Sequence, residues 1–269
     1  MASPHTTQTS VPRCALVTGA STGLGAAFAT ALARRHYDVI LVARHQARLE
    51  ALATTLQQQH GITATVLVAD LTDHEALRRV ERHIRQDEAL TLLVNNAGFG
   101  TIGPFATRDL DQEEAEIRLN VVALVRLTHA ALPGMIARDH GAILNVSSIS
   151  ALLPGPYHAT YGATKAYINS FTEALHEELR GTGVRVQTLC PGFTHTEFQQ
   201  RAGVNTSHIP RFAWMTAEAV AEIALDALPR GRVVCVPGRL NRLVAFLLGV
   251  VPRTVVRRIT GRLASRVLE

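Results

Sequence analysis

The chain contains a tyrosine and a lysine at a spacing that suits proton transfer. Tyr161 and Lys165 are four residues apart, and Lys165 is the only lysine among 27 basic side chains, the others being arginines. A four-residue spacing places two side chains on the same face of a helix, one turn apart. Lysine carries a compact ammonium charge, whereas arginine carries a broad planar guanidinium. The pair therefore indicates a phenol beside an ammonium group.

This arrangement would change the acidity of the phenol. A positive charge close to a phenol favours the phenolate and lowers its pKa from about 10. A tyrosine with a lowered pKa can exchange a proton near neutral pH. We therefore predict that Tyr161 is a general acid or base and that Lys165 lowers its pKa. The alternative is an accidental pair on a solvated helix face, and the surrounding sequence must decide between the two.

Length and composition limit the kinds of protein that could carry this pair. The 269 residues, 47% of them apolar, are enough for one α/β domain with a sizeable core. The net charge of +5 invites a nucleic-acid function, but aromatic residues make up only 5% of the chain. They do not alternate with arginines as in a base-stacking groove. We therefore predict no binding to nucleic acid.

The cysteines and the chain ends point to the cytoplasm. Cys14, Cys190 and Cys235 lie in apolar runs, which predicts buried thiols rather than a disulfide framework or a metal site. Residues 1–13 are polar and do not resemble a secretory signal. The longest apolar run, Leu243 to Val251, is shorter than the roughly 20 residues that span a bilayer. These features predict a cytoplasmic protein.

Short apolar runs alternate with segments of helical periodicity over residues 13–238. Several apolar runs are continuous, as in strands buried on both faces of a sheet. Repeated strand–helix–strand units predict a parallel sheet wrapped by helices. The predicted class is an α/β, Rossmann-type, doubly wound sheet of about seven strands in one domain. The predicted strands are 14–17, 39–42, 65–68, 92–94, 142–146, 184–189 and 233–236, and the predicted helices are 26–35, 47–58, 75–85, 111–137 and 157–180.

The two ends of the chain differ from this core. Residues 1–12 are predicted to form a flexible tail. Residues 239–269 carry seven arginines and one acid, Glu269, and Pro252 divides them into two predicted helices. We predict that this basic extension packs on the domain or on a subunit interface, because a sheet needs helices to cover it. The less favoured alternative is an interfacial helix attracted to anionic lipid.

A glycine-rich turn follows the first predicted strand and precedes a helix. Gly19, Gly23 and Gly25 have the spacing G-x-x-x-G-x-G. Glycines let backbone amides approach an anion, and the start of a helix favours negative charge. Asn95-Asn96-Ala97-Gly98 and Asp70 follow two further strands, and parallel sheets bind ligands at this end of their strands. The pattern predicts a nucleotide site, with a purely structural turn as the alternative.

Taken in order, these motifs resemble those of the short-chain dehydrogenase/reductase family. TGxxxGxG corresponds to Thr18–Gly25, NNAG to Asn95–Gly98 and YxxxK to Tyr161–Lys165. Ser148 lies thirteen residues before the tyrosine, where the family has a serine, and Asn120 lies on the preceding long helix. The matches extend from residue 14 to about residue 236. The chain departs from the family in its polar N-terminal tail and its longer arginine-rich C-terminus.

The resemblance implies hydride transfer between a nicotinamide cofactor and a carbonyl or secondary alcohol. It implies that Tyr161 protonates the carbonyl oxygen and that Ser148 donates a hydrogen bond to that oxygen. Lys165 would hold the nicotinamide ribose, and Asn120 would hold a water linking Lys165 to solvent. The predicted cofactor-binding residues are Gly19, Ser21, Thr22, Gly23, Leu24, Gly25, Arg44, Asp70, Leu71, Asn96, Ala97, Gly98, Tyr161, Lys165, Pro191, Gly192 and Thr194.

The form of the cofactor is predicted from the end of the second strand. In dinucleotide folds an acid about 20 residues beyond the glycines binds the adenosine ribose, whereas an arginine accommodates a 2′-phosphate. Here the window reads Ala43-Arg44-His45 and contains no acid. Asp38 precedes the strand and is expected at its opposite end. We therefore predict NADP rather than NAD, with Arg44 on the phosphate.

The substrate is predicted only by class. Candidate pocket walls are mostly apolar, which favours a hydrophobic or bulky ketone, aldehyde or secondary alcohol. A segment from Thr194 to Met215 has loop-like residues and is predicted to close over the nicotinamide as a lid. Aromatic side chains in it belong equally well to the core. The candidate walls are Phe99, Leu152, Leu153, Tyr157 and Phe193, with Phe198, Phe212 and Trp214 in the lid.

Two other functions are compatible with these motifs, and the family resemblance also bears on assembly. A 3-oxoacyl thioester reductase is a specialised version of the same chemistry. A nucleotide-sensing binding protein without turnover is a rival from another class, although binding alone would not require Ser148, Tyr161 and Lys165 together. The resemblance also implies a homo-oligomer, for which the long helices 111–137 and 157–180 are candidate interfaces.

Overall fold

A computed structural model describes residues 13–203 and 209–265 of the chain. The predicted flexible tail, residues 1–12, lies outside the described residues, as do 204–208 in the predicted lid. The described residues contain nine strands. They are β1 (Cys14–Thr18), β2 (Asp38–Ala43), β3 (Ala64–Val68), β4 (Leu90–Asn95), β5 (Gly141–Val146), β6 (Val184–Leu189), β7 (Thr194–His195), β8 (Met215–Thr216) and β9 (Val234–Cys235).

Ten α-helices occur in the same described ranges, together with short 3-10 turns. Most of them connect one parallel strand to the next. They are α1 (Gly23–Ala33), α2 (Gln46–His60), α3 (His74–Gln86), α4 (Leu110–Ile117), α5 (Leu124–Ala137), α6 (Ala159–Glu178), α7 (Phe198–Arg201), α8 (Ala217–Ala227), α9 (Arg239–Val250) and α10 (Arg253–Ser265).

The main sheet has seven parallel strands in the order β3-β2-β1-β4-β5-β6-β9. This confirms the predicted doubly wound α/β sheet. β7 and β8 form a separate pair, which the sequence did not indicate because each is two residues long. The order reverses between β1 and β4, and ligands bind in the crevice at such a switch point. The turns after β1 and β4 are therefore neighbours.

The sheet is buried on both faces, which explains the continuous apolar runs. Along β1, Ala15 and Val17 pack on one side, whereas Cys14 and Leu16 pack on the other. The first side is covered by α1, α2 and α8, and the second by α3, α5 and α6. Alternate residues of one strand thus serve two cores.

The predicted helix 111–137 is one helical segment with a defect in its middle. α4 and α5 are joined through a π-helical turn, Arg118–Ala123, that contains Asn120. Such turns are frequent at functional sites. Leu110–Ala137 is long and apolar enough to cross a membrane by composition, but α5 packs against α3, β4 and β5. Its apolar side chains are those of a core helix.

The C-terminal extension forms two helices separated at Pro252, as the sequence predicted. α9 packs against the 3-10 turn Ile149–Leu152, and the Thr260 hydroxyl donates to the Pro154 carbonyl at 2.9 Å. The described side chains that are buried are Asn241 and Val256. The described contacts of this segment with the rest of the domain are therefore narrow, and its packing on the domain or on a subunit interface stays a prediction.

Candidate active site

The turn after β1 is fastened to the loop after β4 by Thr18 and Asn96. The Thr18 hydroxyl accepts hydrogen bonds from the backbone amides of Asn96 and Ala97, both at 2.9 Å. The Asn96 amide group donates back to the Thr18 carbonyl at 2.8 Å. Gly19 has φ +66°, and a Cβ there would lie 2.9 Å from Nδ2 of Asn96. Glycine is required because both the backbone angle and the space exclude a side chain.

The same turn presents the start of α1 to the cavity. The residue before the helix, Thr22, makes no side-chain capping bond among the described residues, so the amides of the first helical turn are available to an anion. Gly25 does not face the cavity. A Cβ at Gly25 would lie 2.1 Å from the Gly19 carbonyl oxygen. Its function is therefore to let the helix pack against the turn.

Tyr161 and Lys165 lie one turn apart on α6 and line one cavity. Nζ of Lys165 lies 5.7 Å from the centre of the Tyr161 ring and donates to the Val146 carbonyl at 2.9 Å. Two glycines of the loop after β4 leave room for neighbouring side chains. A Cβ at Gly100 would lie 2.8 Å from Cδ2 of Tyr161, and one at Gly98 would lie 2.8 Å from Oδ1 of Asn120.

The acidity of these two groups differs from the sequence-based expectation. Burial raises the pKa of Tyr161 to about 12, the Ser148 hydroxyl acts in the opposite direction, and the charge of Glu116 raises it further. Burial lowers the pKa of Lys165 to about 8, against the attraction of Glu116. The predicted lowering of the Tyr161 pKa by Lys165 is therefore wrong for the groups of the protein itself. Loss of water on burial is the largest cause of the shift, and Lys165 is not among its causes.

Asn120 is buried and fully engaged by its neighbours. Its side-chain oxygen accepts from the Phe99 amide at 3.1 Å, and its amide group donates to the Phe99 carbonyl at 2.9 Å and to the Thr164 hydroxyl at 3.1 Å. It does not line the cavity. The described contacts make Asn120 a brace between the loop after β4 and α6, and its predicted role in holding a water stays a prediction.

Ser148 follows the end of β5, in the first turn beyond the sheet. Its side chain is 8% exposed, and its hydroxyl accepts from the Ser150 amide at 3.1 Å. It lines the cavity together with Tyr161. The adjacent Ser147 instead donates to the Lys165 carbonyl at 2.9 Å. The two serines thus face different ways, one toward the cavity and one toward α6.

A buried carboxyl group that the sequence did not single out lies behind the pair. Glu116 is 0% exposed. Its Oε2 accepts from the Thr101 amide at 2.9 Å and lies 2.8 Å from the Thr101 hydroxyl. Its Oε1 has no hydrogen-bond partner among the described residues. The Thr101 hydroxyl also lies 2.7 Å from Glu113. One hydroxyl hydrogen cannot serve two carboxylates, so the geometry favours a protonated Glu116.

Electrostatics agree with that protonation state. Burial raises the pKa of Glu116 from 4.5 to about 7, and the charge of Glu113 raises it further, whereas the bonds from Thr101 and the charge of Lys165 lower it. For Glu113 burial also raises the pKa, but hydrogen bonds from Thr160, Thr101 and Arg108 leave the pKa below its ordinary value. In the sequence, Glu113 and Glu116 are simply two acids on one predicted helix, a pattern that usually marks a solvated face. The sequence therefore did not indicate that they are buried.

The cavity has a volume of about 790 Å³, within the range of cofactor sites. It runs along the carboxyl edge of the main sheet. Of the predicted site residues, Gly25 and Asn120 do not line it. The lining includes Gly19, Ser21, Thr22, Gly23, Leu24, Arg44, Asp70, Leu71, Asn96, Ala97, Gly98, Ser148, Tyr161, Lys165, Pro191, Gly192 and Thr194.

Arg44 and Asp70 lie at the end of the cavity beside β2 and β3. Their charged groups are 3.7 Å apart, and both side chains are largely exposed. Burial acts to raise the Asp70 pKa, but hydrogen bonds from Thr72 and the Arg44 charge lower it below its ordinary value. Asp38 begins β2 at the opposite edge, where its carboxylate accepts from the Thr63 amide at 2.7 Å. Asp38 and Arg44 therefore lie at opposite ends of β2, as the sequence predicted.

The other end of the cavity has an apolar wall that differs in part from the prediction. Phe99, Phe193 and Phe198 line it, as does His158, whereas Leu152, Leu153 and Tyr157 do not. Phe198 lies on α7, and its ring centre is 5.5 Å from that of Tyr161. The predicted lid therefore does contact the site through its helix.

Two aromatic residues of the same segment point elsewhere. Phe212 is 78% exposed, and Trp214 stacks on His195 with a centre distance of 4.6 Å. Neither lines the main cavity. Because an aromatic residue in a loop serves equally well in a core, at a surface or in a pocket, sequence alone did not separate these cases.

Comparison with known proteins identifies the class. The family model of short chain dehydrogenases matches residues 13–206. A very-long-chain 3-oxoacyl-CoA reductase of Anas platyrhynchos is 33% identical over 190 residues, covering 69% of this chain and 61% of the relative. This chain therefore spans less than two thirds of that relative.

Two solved structures are similar over nearly the whole chain. A short-chain dehydrogenase from Sphingobium yanoikuyae in complex with NADPH has a TM-score of 0.81 and 34% identity, covering 90% of this chain and 97% of that one. The bulky-bulky ketone specific alcohol dehydrogenase from Comamonas testosteroni has a TM-score of 0.77 and 29% identity, covering 91% of this chain and 96% of that one.

The fold and the site together define a dinucleotide-dependent oxidoreductase. The chain belongs to the short-chain dehydrogenase family, whose members are NAD(P)-dependent and act on CH–OH or C=O groups. The cavity fits such a cofactor in this chain, because it joins an uncapped helix start at α1 to the Arg44 and Asp70 end and to Tyr161. When bound, a nicotinamide supplies a hydride.

Replacing the buried acid tests its protonation state. Glu116 has a pKa raised from 4.5 to about 7, so its contribution to the free energy of unfolding is present below the unfolded pKa and is lost as the pH rises through the folded pKa. We expect the wild type, relative to Glu116→Gln, to lose up to about 3 kcal/mol across that window. Urea unfolding of both proteins at about pH 5 and about pH 8 measures the difference.

Glu114→Gln is the matched control for this experiment. Glu114 lies on the same helix, is exposed and pairs with Arg118 at 2.7 Å. We expect it to change the unfolding free energy little, and by the same amount at both pH values. If the wild type and Glu116→Gln have parallel pH profiles, Glu116 is ionised in the folded protein and the assignment above is wrong.

Proposed function

We propose that the protein is an NADP(H)-dependent reductase of bulky apolar ketones or aldehydes, also able to oxidise the corresponding alcohols. The observation that carries the proposal is the shared cavity in which Ser148, Tyr161 and Lys165 adjoin an apolar wall that includes Phe193 and Phe198. One end of that cavity suits a dinucleotide, and the other suits a substrate with little polarity.

Each residue has a chemical task in this proposal. Reduction of a carbonyl places negative charge on its oxygen, which needs a proton and a hydrogen-bond donor. Tyr161 donates the proton, since its raised pKa keeps it in the phenol form. Ser148 donates a hydrogen bond to the same oxygen. Lys165 binds the ribose next to the nicotinamide, and Asn120 holds the loop and α6 in register.

The preference for NADP rests on the exposed guanidinium of Arg44 at the rim of the cavity. Its planar group can bind a phosphate with two hydrogen bonds. The end of β2 reads Ala43-Arg44-His45 and offers no acid to a ribose. The structure of the Sphingobium yanoikuyae relative, in complex with NADPH, supports the same choice.

The substrate class rests on the lining of the cavity beside Tyr161. Phe99, Ile102, Phe193, Phe198 and Ile209 supply apolar surface there. The specificity for bulky ketones named for the Comamonas testosteroni enzyme supports this proposal. A second candidate is a 3-oxoacyl thioester, which is favoured by the likeness to the reductase of Anas platyrhynchos. It has a carbonyl of the same kind on a longer apolar chain.

The proton donor is tested by Tyr161→Phe. This change keeps the ring and removes the hydroxyl, so we expect kcat with NADPH and a ketone to fall by about 10² to 10⁴, while NADPH binding persists. Stopped-flow turnover and fluorescence titration of NADPH measure the two effects. Tyr167→Phe is the control, because Tyr167 lies on the same helix, is 43% exposed and stacks on Phe171. Turnover near that of the wild type in Tyr161→Phe contradicts the mechanism.

The cofactor preference is tested by Arg44→Ala. We expect kcat/KM for NADPH to fall by about 10- to 100-fold, since a hydrogen bond to a charged group contributes about 1.5–3 kcal/mol. The value for NADH should change by less than about threefold. Arg79→Ala, on the exposed side of α3, is the control for general charge. An equal loss with both cofactors would rule out a phosphate contact.

The apolar wall is tested by Phe198→Ala with a panel of carbonyl compounds. An aromatic contact contributes about 0.5–1.5 kcal/mol, so we expect kcat/KM to fall about 2- to 10-fold for bulky ketones and 3-oxoacyl thioesters. Small ketones should be affected less. Phe212→Ala is the control, because Phe212 is exposed in the same segment.

The panel also separates the candidate functions. Preference for 3-oxoacyl thioesters over free ketones of similar bulk selects the second candidate. NADPH binding by the wild type without turnover of any carbonyl or alcohol would instead support a nucleotide-sensing binding protein. If Phe198→Ala lowers kcat/KM equally for large and small substrates, Phe198 does not contact the bulky part of the substrate.

A further inference from the structure

The helix α9 turns apolar side chains outward, away from the domain. Its buried residue is Asn241, which lies under Gly192, where a Cβ would approach to 2.5 Å. On the opposite side of the helix the apolar side chains are largely exposed. They are Leu240 (41%), Leu243 (55%), Phe246 (67%), Leu247 (49%) and Val250 (68%). On the side of Asn241, Val244, Ala245 and Leu248 are partly buried. The helix is therefore apolar on two sides, whereas a helix at the surface of a domain ordinarily has one apolar side, facing the core.

The next helix extends the same apolar surface. In α10, Val255 and Ile259 are 42% and 51% exposed, and Val256 is buried against the domain. We call the outward faces of α9 and α10 the C-terminal surface. Several apolar side chains side by side on an exposed surface mark an interaction site, whereas isolated ones are ordinary.

The charge on this segment has one sign. Residues 239–261 contain five arginines and no acid, and all five arginines are exposed. They are Arg239, Arg242, Arg253, Arg257 and Arg258. Arginine stems lie along apolar surface while their charged ends reach polar groups. An apolar helix face bordered by arginines is typical of a helix lying in the plane of an anionic membrane surface.

The charge also argues against a second copy of the chain as the occupant. A two-fold interface brings the same patch of both copies together. Here it would place the five arginines of each copy against one another with no acid in the patch to pair them. Anionic lipid headgroups supply the missing charge, at roughly 1 kcal/mol for each arginine near the surface.

The dimensions fit a helix lying on a membrane. The 12 residues of α9 are about 18 Å long at 1.5 Å per residue, which is shorter than the hydrocarbon core of about 30 Å. We propose that the C-terminal surface docks on the surface of an anionic lipid bilayer, with α9 and α10 lying in the headgroup layer. This proposal concerns lipid binding only and does not depend on the proposed substrate.

The two helices lie beside the active-site cavity. α9 packs against the turn Ile149–Leu152, and Ile149 and Ser150 line the cavity. α10 is tied by Thr260 to Pro154, in the loop that follows this turn. Docking of α9 and α10 on a membrane therefore places the substrate side of the cavity close to the lipid.

Vesicle flotation of the full chain tests the proposal. We expect binding to vesicles of phosphatidylcholine mixed with phosphatidylserine, weaker binding to phosphatidylcholine alone, and release at high salt because surface charge is screened. Phe246→Glu with Val250→Glu should lower the bound fraction about tenfold. Arg257→Glu with Arg258→Glu should remove the dependence on phosphatidylserine. Leu110→Glu is the control, because Leu110 is 70% exposed on α4.

A second measurement on the same proteins tests whether the C-terminal surface instead binds a second copy of the chain. Sedimentation velocity reports whether Phe246→Glu with Val250→Glu changes the oligomeric state, and circular dichroism reports whether it is folded. Absence of flotation for the wild type, or flotation unchanged by both pairs of substitutions, overturns the proposal. Conversion of an oligomer to a monomer without any lipid binding also overturns it and assigns the surface to a subunit interface.

Discussion

The site depends on keeping one ammonium group in a place with little water. Lys165 is 4% exposed, and burial lowers its pKa to about 8. A buried charge needs partners, and the described ones are the Val146 carbonyl and, through space, Glu116. Gly98 leaves room for Oδ1 of Asn120, which a Cβ there would approach to 2.8 Å. The loop after β4 and the buried acid therefore both lie close to this one charge.

The same requirement explains why the topology matters. β5 supplies the Val146 carbonyl and then Ser147 and Ser148, while α6 returns Tyr161 and Lys165 to the same edge. β4 supplies the glycine loop, which the π-helical turn at Asn120 fixes to α6. Because these strands are adjacent and parallel, their carboxyl ends meet at one edge of the sheet. No single segment contains the site, yet the order of strands assembles it.

Spacing and motif order were enough to predict the doubly wound sheet, and most of the predicted site residues line the cavity. Spacing and motif order did not predict features that depend on whether a side chain is buried. Gly25 and Asn120 belong to the predicted motifs but support the walls instead of lining them. Glu116 was missed, because an acid on an amphipathic segment has the same pattern whether it is buried or solvated. The exposure of one apolar side of α9 was not predicted for the same reason. The direction of the Tyr161 pKa was wrong because spacing reports proximity and not the loss of water.

That last difference bears on the direction of the chemistry. Raising a phenol pKa from 10 to about 12 makes ionisation harder by about 3 kcal/mol. The protein's own groups therefore hold Tyr161 as a phenol at neutral pH, which in the proposed mechanism is the form that donates a proton to the carbonyl oxygen. Oxidation of an alcohol would require the phenolate, which burial opposes, and which the charge of Glu116 opposes as well once the pH exceeds the Glu116 pKa of about 7. An oxidised nicotinamide ring carries a positive charge that the reduced ring lacks. In the proposed mechanism the acid–base state of Tyr161 would therefore depend on the redox state of the ligand as well as on burial, Ser148 and Glu116.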